Sequence, residues 1–363
     1  MTTKKIGIMT TGGDCSGLNT VIQRIMDGCL RRKWNLIGIL DGTDGLFTNP
    51  AKTVDLTNDI FPYASSHLAG SILSNGNAGA INFEKSACAG KIATFNKRLK
   101  KSLQDLNLDT MVLIGGNGSL SLAHLYHEIY SDVSLICIPK TIDLDVPLTD
   151  RTIGFDTAVQ QLVSYCDQLL LTARSHHRWF VVQTMGRKCG QLALHSGIAV
   201  AANAILIPEI KFDIDNLVKH IKQSNRDYGI IMVAEGITLR GHSGRAADII
   251  SRKLTAAGIT NKTAFPEYIQ RAGDTVASDR ILASGFAETA LKAIESGETN
   301  VMTVVQNGEY KTISLDEFFK AGKQEQDPHI IGAMTSNAYV EPDNILLQIA
   351  TDMGIYIGER KNK

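Results

Sequence analysis

The chain has 363 residues, with 37 lysines and arginines against 37 aspartates and glutamates, so its formal net charge is zero. A balanced charge gives no sign of a nucleic-acid or membrane surface, and no apolar run reaches the length of a transmembrane helix. We also expect no leader peptide. The six cysteines form no CxxC pair, which argues against a zinc site and favours reduced thiols in a cytoplasm.

The first stretch predicts a strand, a glycine turn and a helix. A short run at residues 4–9 that favours β-structure precedes TTGGDCSGLN at 10–19, and an amphipathic segment follows at 21–30. Backbone N–H groups in such a turn, together with the helix N-terminus, can bind an anion. The turn matches neither the Walker loop nor GxGxxG, and a plain tight turn is the alternative.

The same design recurs further along the chain. The predicted elements are a strand at 34–40, a loop at 69–80, a helix at 83–106, a strand at 111–114, the turn GGNGS at 115–119 and a helix from Leu120. The repeated order of strand, paired glycines and helix indicates a second anion-facing turn.

The segment PKTIDLD at 139–145 follows a predicted buried strand at 133–138, which Pro139 should end. In an extended chain Thr141, Asp143 and Asp145 would point the same way. Two carboxylates side by side are costly unless a metal, a cation or a shared proton separates them, which suggests chemistry. The alternative is a turn whose aspartates cap a helix or bind loop amides.

The second half continues the alternation of strands and helices. It predicts a helix at 156–175, a strand within 178–184, a glycine turn at 185–190, strands at 204–207 and 229–234, and helices at 246–257 and 278–296. This order predicts an α/β fold with mostly parallel sheets flanked by helices. No linker is evident, as expected if the chain crosses more than once between two lobes.

Seven short motifs follow one another between about residues 4 and 285. They are GGD at 12–14 with Gly17 and Asn19, GGNGS at 115–119, PKTIDLD at 139–145, TIGFDT at 152–157, MGR at 185–187 with Cys189 and Gly190, Glu235 with Gly236, and YIQR at 268–271 with Asp279 and Arg280. In this order and spacing the set resembles the phosphofructokinase family. Residues 300–363 match more loosely.

The resemblance implies a two-domain phosphofructokinase-like fold with its active site in the interdomain cleft. A larger, donor-binding domain would take residues 1–154 and about 270–320, and a smaller, sugar-phosphate-binding domain 155–269 and about 321–363. The implied reaction transfers a phosphoryl group from ATP or pyrophosphate to the C1 hydroxyl of fructose 6-phosphate. The product, fructose 1,6-bisphosphate, would place the enzyme in glycolysis.

The resemblance also assigns catalytic roles residue by residue. Asp143 would be the general base, with Asp145 and Thr141 holding the reacting end of the sugar. Arg187 and the backbone N–H of Gly13 would stabilise the moving phosphoryl group. These residue types fit the chemistry, because phosphoryl transfer needs alignment and positive charge rather than covalent help. A solvated surface charge is the alternative for an isolated arginine.

The resemblance implies two binding sets and an oligomer. The sugar phosphate would be bound by Met185, Gly186, Glu235, Arg178, Lys262, Tyr268 and Arg271. Arg178 and Lys262 would come from a neighbouring subunit, which implies a homodimer or homotetramer. The donor would be bound by Gly12, Gly13, Gly116, Asn117, Gly118, Ser119 and Lys140. Asn117 would also hold Mg²⁺.

Three departures from the family pattern bear on the donor and the acceptor. Asn117 replaces an aspartate, which keeps an oxygen ligand but loses its charge. Leu144 replaces an asparagine, and the loop at 74–77 lacks an arginine that usually faces the donor. Gly118 leaves room for a nucleotide, because family members that use pyrophosphate typically carry an aspartate at this position. Lys140 points the other way, because a lysine at this position commonly contacts pyrophosphate. We favour ATP and keep pyrophosphate open.

Two other functions stay open. A kinase of the same fold acting on another sugar or polyol phosphate would account for Leu144 and Asn117. A non-catalytic sugar-phosphate-binding subunit is the third hypothesis, although such a subunit would not need the base Asp143 or Arg187. The basic cluster of the short bacterial effector site is not evident, so we expect no strong control of that kind.

Overall fold

The computed structural model describes residues 3–57, 62–76, 89–121, 123, 131–239, 241, 243–321, 323–324, 334–335 and 340–359. The chain forms two compact units. Unit 1 comprises Met1–Thr141, Asp145–Gly154 and Asp274–Asn337, and unit 2 comprises Ile142–Leu144, Phe155–Gly273 and Ala338–Lys363. The chain therefore passes between the units after residues 141, 144, 154, 273 and 337. The domain bounds expected from the resemblance stay a prediction.

Unit 1 is built on a seven-stranded sheet. With strands numbered in chain order, its members are β1 (Lys5–Thr10), β2 (Asn35–Ile39), β3 (Thr53–Asp55), β4 (Thr110–Gly115), β5 (Ser134–Pro139), β10 (Val301–Gln306) and β11 (Glu309–Ser314). The order is β11-β10-β5-β4-β1-β2-β3. The interior pairs are parallel, and both edge strands are antiparallel to their neighbours.

The helices of unit 1 cover this sheet. They are α1 (Leu18–Arg32), α2 (Gly42–Leu46), α3 (Ala89–Leu106), α8 (Ala277–Ser296) and α9 (Leu315–Ala321), and residues 117–121 are also helical. Helix α1 packs against α8. One core cluster joins Met9, Leu113, Cys137, Val304 and Phe318. A short ladder pairs β12 (Lys323–Gln324) with β13 (Met334–Thr335).

Unit 2 is built on a four-stranded parallel sheet. Its strands are β6 (Trp179–Thr184), β7 (Ala204–Leu206), β8 (Gly229–Ala234) and β9 (Asn261–Ala264), in the order β7-β8-β6-β9. Its helices are α4 (Phe155–Ser175), α5 (Gln191–Ala199), α6 (Ile214–Gln223), α7 (Ala246–Ala256) and α10 (Ile345–Asp352), with a 3₁₀ turn at Glu267–Arg271.

Both faces of the unit 2 sheet are buried, which explains why β6 and β8 read as continuous apolar runs. Trp179 and Val181 of β6 belong to one core cluster, and Phe180 belongs to the cluster on the other side. This alternation follows from the two-residue period of a strand. The carboxyl ends of the four strands meet at one edge, where ligands bind in open parallel sheets.

The expected α/β class with mostly parallel sheets is confirmed. The helix expected from Leu120 begins at residue 117. The helix expected at 83–106 is seen as Ala89–Leu106, and residues 83–88 lie outside the described residues, as do residues 77–80 of the expected loop. Within the described residues, no helix is both long and apolar enough to cross a membrane.

Candidate functional site

The first glycine turn leaves β1 and leads into α1 in unit 1. The N–H of Thr11 donates to Ile114 O of β4 over 3.0 Å, which ties the turn to the next strand. Gly17 precedes α1 with φ +95°, and a Cβ there would lie 2.6 Å from Cγ2 of Ile153. Only glycine combines that backbone conformation with that close approach. The start of α1 therefore requires glycine at position 17, directly before a helix N-terminus of the kind that can bind an anion.

The turns after β1, β4 and β5 meet at one edge of the unit 1 sheet. A Cβ on Gly12 would lie 3.2 Å from Oγ of Ser119, and one on Gly116 would lie 3.1 Å from Lys140 O. Lys140 is buried, and its Nζ donates to the carbonyl of Gly13. The structure thus brings together most of the residues expected to bind the donor. Parallel neighbouring strands account for this, because their carboxyl ends share an edge.

Asn117 presents an unpaired oxygen in the second turn. Its Nδ2 donates to Asp145 O over 2.8 Å, which fixes the orientation of the side chain. Its Oδ1 is buried and has no hydrogen-bond partner among the described residues. A buried carbonyl oxygen without a partner is costly, and amide oxygens are suitable ligands for Mg²⁺. The residue therefore fits the expected metal role.

Among the residues that the structure describes, no group of three or more histidine, cysteine, aspartate or glutamate side chains could hold a metal ion. Mg²⁺ commonly keeps several waters and takes one or two protein ligands plus substrate phosphates. A single orphaned amide oxygen is compatible with that mode of binding.

Gly118 is exposed and lies beside an open volume. A Cβ built on it would have no heavy atom within 4 Å, and its φ is not in the left-handed region. A larger side chain could be added here without disturbing the turn. The absence of a side chain keeps this part of the turn open to a bulky ligand.

The segment at 139–145 is not extended, contrary to the sequence-based expectation. Residues 142 and 143 form a bend, and Leu144 is left-handed with φ +53°. Thr141 is held in unit 1, where its N–H donates to Ile153 O over 3.1 Å. Asp145 also belongs to unit 1, whereas Asp143 belongs to unit 2. The extended conformation from which Thr141, Asp143 and Asp145 were expected to point the same way is therefore wrong.

The turn after β6 carries an arginine in a strained conformation. Gly186 has φ +127°, and Arg187 has φ +54°. A positive φ is uncommon for a residue with a Cβ, and such strain persists where the surroundings impose it. Here Glu235, at the end of β8, accepts the N–H of Arg187 on Oε1 over 2.8 Å. The backbone is thus fixed at the residue expected to act on the phosphoryl group.

Asp143, Arg187 and Glu235 form a compact charged cluster in unit 2. Asp143 is 5 % exposed, and its Oδ2 lies 3.7 Å from Nε of Arg187, whose side chain is 74 % exposed. Burial raises the pKa of Glu235, the charge of Asp143 raises it further, and the hydrogen bond from the Arg187 N–H opposes both effects. A shielded carboxylate therefore lies beside a solvent-facing cation, which is an arrangement suited to proton abstraction next to an anion.

The expected sugar-phosphate residues divide into two groups. Tyr268 and Arg271 lie on the 3₁₀ turn that follows β9, at the same edge as Met185, because β9 runs parallel to β6. The N–H of Met185 donates to Gln270 Oε1 of that turn over 3.0 Å. Tyr268 is exposed. The structure thus brings Met185, Gly186, Glu235, Tyr268 and Arg271 to one edge.

Arg178 and Lys262 lie at the other end of the sheet. Arg178 precedes β6 and Met185 follows it, so roughly 20 Å of extended chain separates them at about 3.3 Å per residue. Lys262 pairs with Phe180, near the start of β6. One chain does not bring these two cations to its own carboxyl edge, where the other sugar-phosphate residues lie.

Two supporting residues were missed at the sequence level. Gln270 accepts the N–H of Met185, and Glu209 accepts the N–H of Gly190 on Oε1 over 2.8 Å. Burial raises the pKa of Glu209, while its bonds from backbone N–H groups act in the opposite direction. The signal available in the sequence was position: Glu209 follows a predicted strand, and Gln270 lies within the motif YIQR.

Comparison of the sequence with known proteins gives consistent matches. A family model described as Phosphofructokinase matches residues 5–294. The chain is 35% identical to ATP-dependent 6-phosphofructokinase 2 of Nostoc sp., covering 98% of this chain and 99% of that protein. It is 34% identical to the ATP-dependent 6-phosphofructokinase of Chloroflexus aurantiacus, covering 86% of this chain and 90% of that protein.

Solved structures show the same architecture. The phosphofructokinase of Saccharomyces cerevisiae aligns with a TM-score of 0.77 and 27% identity over 88% of this chain, which spans 45% of the length of that chain. A pyrophosphate-dependent phosphofructokinase from Marinobacter aquaeolei aligns with a TM-score of 0.76 over 99% of this chain and 93% of that one. Its identity is 18%, so this second likeness concerns the fold alone.

Proposed function

The chain belongs to the phosphofructokinase family, and we propose that it uses ATP to phosphorylate the C1 hydroxyl of fructose 6-phosphate. It is a phosphotransferase with an alcohol group as acceptor, and its product is fructose 1,6-bisphosphate. The observation that carries the assignment of roles is the cluster of Asp143, Arg187 and Glu235. A buried carboxylate, a cation and a second acid meet there at the carboxyl ends of β6 and β8.

In this mechanism Asp143 accepts the proton of the attacking hydroxyl. Its burial limits competition from water, and the guanidinium of Arg187 lies 3.7 Å from the carboxylate. The guanidinium of Arg187 would stabilise the equatorial oxygens of the phosphoryl group in transfer. Tyr268 and Arg271 bind the 6-phosphate, while Met185 and Glu235 orient the sugar. For Asp145 and Thr141 we keep the role that the resemblance implies, which is to hold the reacting end of the sugar.

The donor is bound by the backbone of the turns after β1 and β4. Gly12, Gly13, Gly116, Gly118 and Ser119 supply N–H groups and space for the phosphates. The open volume at Gly118 supports a nucleotide, as do relatives named ATP-dependent at 30–35% identity. Lys140 favours pyrophosphate as the second candidate, because its Nζ lies in the donor turn.

The metal proposed for this reaction is Mg²⁺. Asn117 would hold it through the orphaned Oδ1, in place of the aspartate usual in the family. When bound, a divalent cation neutralises charge on the donor phosphates. The residues of this chain otherwise act by positioning the two substrates and taking the proton at Asp143.

We further propose an oligomer in a cytoplasm. Arg178 and Lys262 lie too far along the sheet to serve the site of their own chain, so a partner's copies would complete the 6-phosphate pocket in a homodimer or homotetramer. Five buried free cysteines, Cys15, Cys29, Cys137, Cys166 and Cys189, support a reducing compartment.

The decisive experiment measures turnover of fructose 6-phosphate by the purified protein with Mg²⁺, with ATP and pyrophosphate in parallel reactions. Turnover with ATP alone supports the proposal. Turnover with pyrophosphate alone would make pyrophosphate, and not ATP, the donor. A panel of other sugar and polyol phosphates tests the alternative acceptor. A folded protein that binds fructose 6-phosphate but transfers nothing from either donor would instead be a non-catalytic subunit.

A further inference from the structure

Gln270 is a buried amide at the centre of the sugar-phosphate turn. It is 1 % exposed, although Tyr268 and Ile269 in the same turn are exposed. Both ends of its side chain are used. Oε1 accepts the N–H of Met185 over 3.0 Å, and Nε2 donates to Glu267 O over 2.9 Å. Gln270 therefore connects the turn after β6 with the turn after β9.

Both connected turns contain strained backbone. Glu267 has φ +47°, and Gly186 and Arg187 follow Met185 with φ +127° and +54°. Positive φ at residues with a Cβ is maintained by the contacts around them. Gln270 supplies one such contact on each side, to a backbone donor next to Gly186 and to the carbonyl of Glu267 itself. Its removal would leave both backbone groups without this bond.

We propose that Gln270 is a positioning residue that holds the phosphate-binding side chain of Arg271 in register with the catalytic turn of Arg187. The inference rests on the proposed function, because it assigns the two turns to the two ends of one sugar phosphate. Gln270 itself points inward and acts through its neighbours in the turn. Loss of the bridge lets the 6-phosphate site shift relative to the reacting hydroxyl, and small displacements of this kind are costly for catalysis.

The test compares Gln270→Met with a matched variant in the full-length protein. Methionine has a similar length and no hydrogen-bonding amide. The control is Gln23→Met, because Gln23 is also 1 % exposed and its Nε2 donates to Asp27 of the same helix, α1. We expect Gln270→Met to raise the KM for fructose 6-phosphate roughly tenfold, which corresponds to about 1.4 kcal/mol and lies within the cost of leaving a buried group unsatisfied, with the KM for the donor unchanged. We expect Gln23→Met to leave both values unchanged.

A double-mutant cycle separates positioning from general destabilisation. If Gln270 acts through Arg271, Gln270→Met changes the KM less in an Arg271→Ala background than in the wild type. A purely structural role lowers the apparent kcat by reducing the folded fraction and leaves the KM unaltered. An unchanged KM in Gln270→Met, or full additivity with Arg271→Ala, overturns the proposal.

A second variant, Gln270→Glu, tests the proposal if Gln270→Met does not fold. Gln270→Glu keeps an acceptor for the N–H of Met185 and loses the donor to Glu267 O, so an intermediate KM is expected, and a wild-type KM refutes the bridge. The two levels of inference fail differently. A wild type without activity on fructose 6-phosphate rejects the proposed function, whereas an active wild type with an unaffected Gln270→Met rejects this inference alone.

Discussion

Asp143 and Arg187 are close neighbours in very different environments. The carboxylate is almost completely shielded from water, whereas most of the guanidinium side chain faces solvent. An exposed arginine can turn toward an arriving anion, while the buried acid keeps its position. The two charges are therefore suited to separate tasks, with proton acceptance at Asp143 and charge stabilisation at Arg187.

Replacing Asp143 with asparagine should lower turnover roughly 10²–10⁴-fold, because the amide has the same size but cannot accept the proton. Binding of fructose 6-phosphate should remain, which calorimetric titration would measure beside the initial rates. Asp150→Asn is the control, since Asp150 is exposed and accepts the N–H of Asn307 in unit 1. Undiminished turnover in Asp143→Asn would remove this residue as the base.

Glu209→Gln should change how stability depends on pH. Burial raises the pKa of Glu209 above its ordinary 4.5, so the folded state holds the proton more tightly than the unfolded state. The free energy of unfolding of the wild type should then fall, relative to Glu209→Gln, as pH rises from about 4.5 through the raised pKa. Urea unfolding at acid and neutral pH measures this difference. A parallel pH dependence of wild type and Glu209→Gln would contradict the prediction.

Candidate site residues could be recognised from the sequence where they stand in a strand-end motif, and they were missed where their partners are distant backbone groups. A carboxylate or an arginine in a strand-end motif is recognisable as a candidate for binding or catalysis. The bonds of Gln270 to Met185 and of Glu209 to Gly190 join residues 85 and 19 positions apart. No local pattern encodes such a pairing, because it arises only when the sheet brings the strand ends together.

Among the secondary-structure elements, buried strands and their ends were predicted best from the sequence. Apolar runs bounded by glycine or proline predicted β4, β5, β6 and β8 because each lies in the interior of its sheet. Strand β9 was missed, since Asn261, Lys262 and Thr263 are polar and the strand exists through its pairing with β6. Helix α6 was also missed, although Asp213 is a typical N-cap whose side chain accepts the N–H of Asn216.

The turn after β4 should determine donor choice through Gly118. Gly118→Asp adds a carboxylate where a side chain meets no atom within 4 Å, so the protein should fold normally. We expect turnover with ATP to be lost, because the new charge would oppose the nucleotide phosphates. Parallel assays with ATP and pyrophosphate measure the effect, and Gly118→Ala controls for the loss of glycine. Full ATP turnover in Gly118→Asp would show that this position does not set the donor.

Helix α8 should contribute to stability through its buried face alone. Phe286 is fully buried and meets Tyr310 of β11 edge-to-face at 5.8 Å, so Phe286→Ala should cost about 3–5 kcal/mol of unfolding free energy. Ile281 lies on the same helix and is exposed, so Ile281→Ala should change it by about 0.5 kcal/mol or less. Chemical denaturation of both variants checks the contrast, and equal losses would contradict it.

For the whole molecule, the sequence predicted the α/β class but not the short passage of residues 142–144 into a different unit. The passage into unit 2 at Ile142–Leu144 lasts three residues, which is too short for any change in composition to mark it. It nevertheless assigns Asp143 to a different unit from Thr141 and Asp145. The left-handed Leu144 shows why a strand-like reading of this segment failed.

The distance between Arg178 and the carboxyl edge of β6 predicts an active oligomer. Hybrids of one protomer carrying Asp143→Asn and another carrying Lys262→Ala should recover activity at low fructose 6-phosphate. Such a hybrid contains one site that combines an intact base with the partner's intact lysine. Each variant alone should be impaired. Sedimentation velocity would measure assembly, and co-expressed variants would supply the hybrids. A monomer with full activity, or no recovery in hybrids, would contradict shared sites.

The late position of β10 in the chain affects how the protein is made. Strand β10 pairs with β5 through Val301 and Met302, and about 160 residues separate these strands. At roughly 5–20 residues per second, a ribosome needs on the order of 10–30 s to cover that stretch. Throughout this time the nascent chain carries β5 as an open edge, a template for pairing with other chains. The speed of translation through the codons of unit 2 therefore sets how long each new molecule is vulnerable to aggregation.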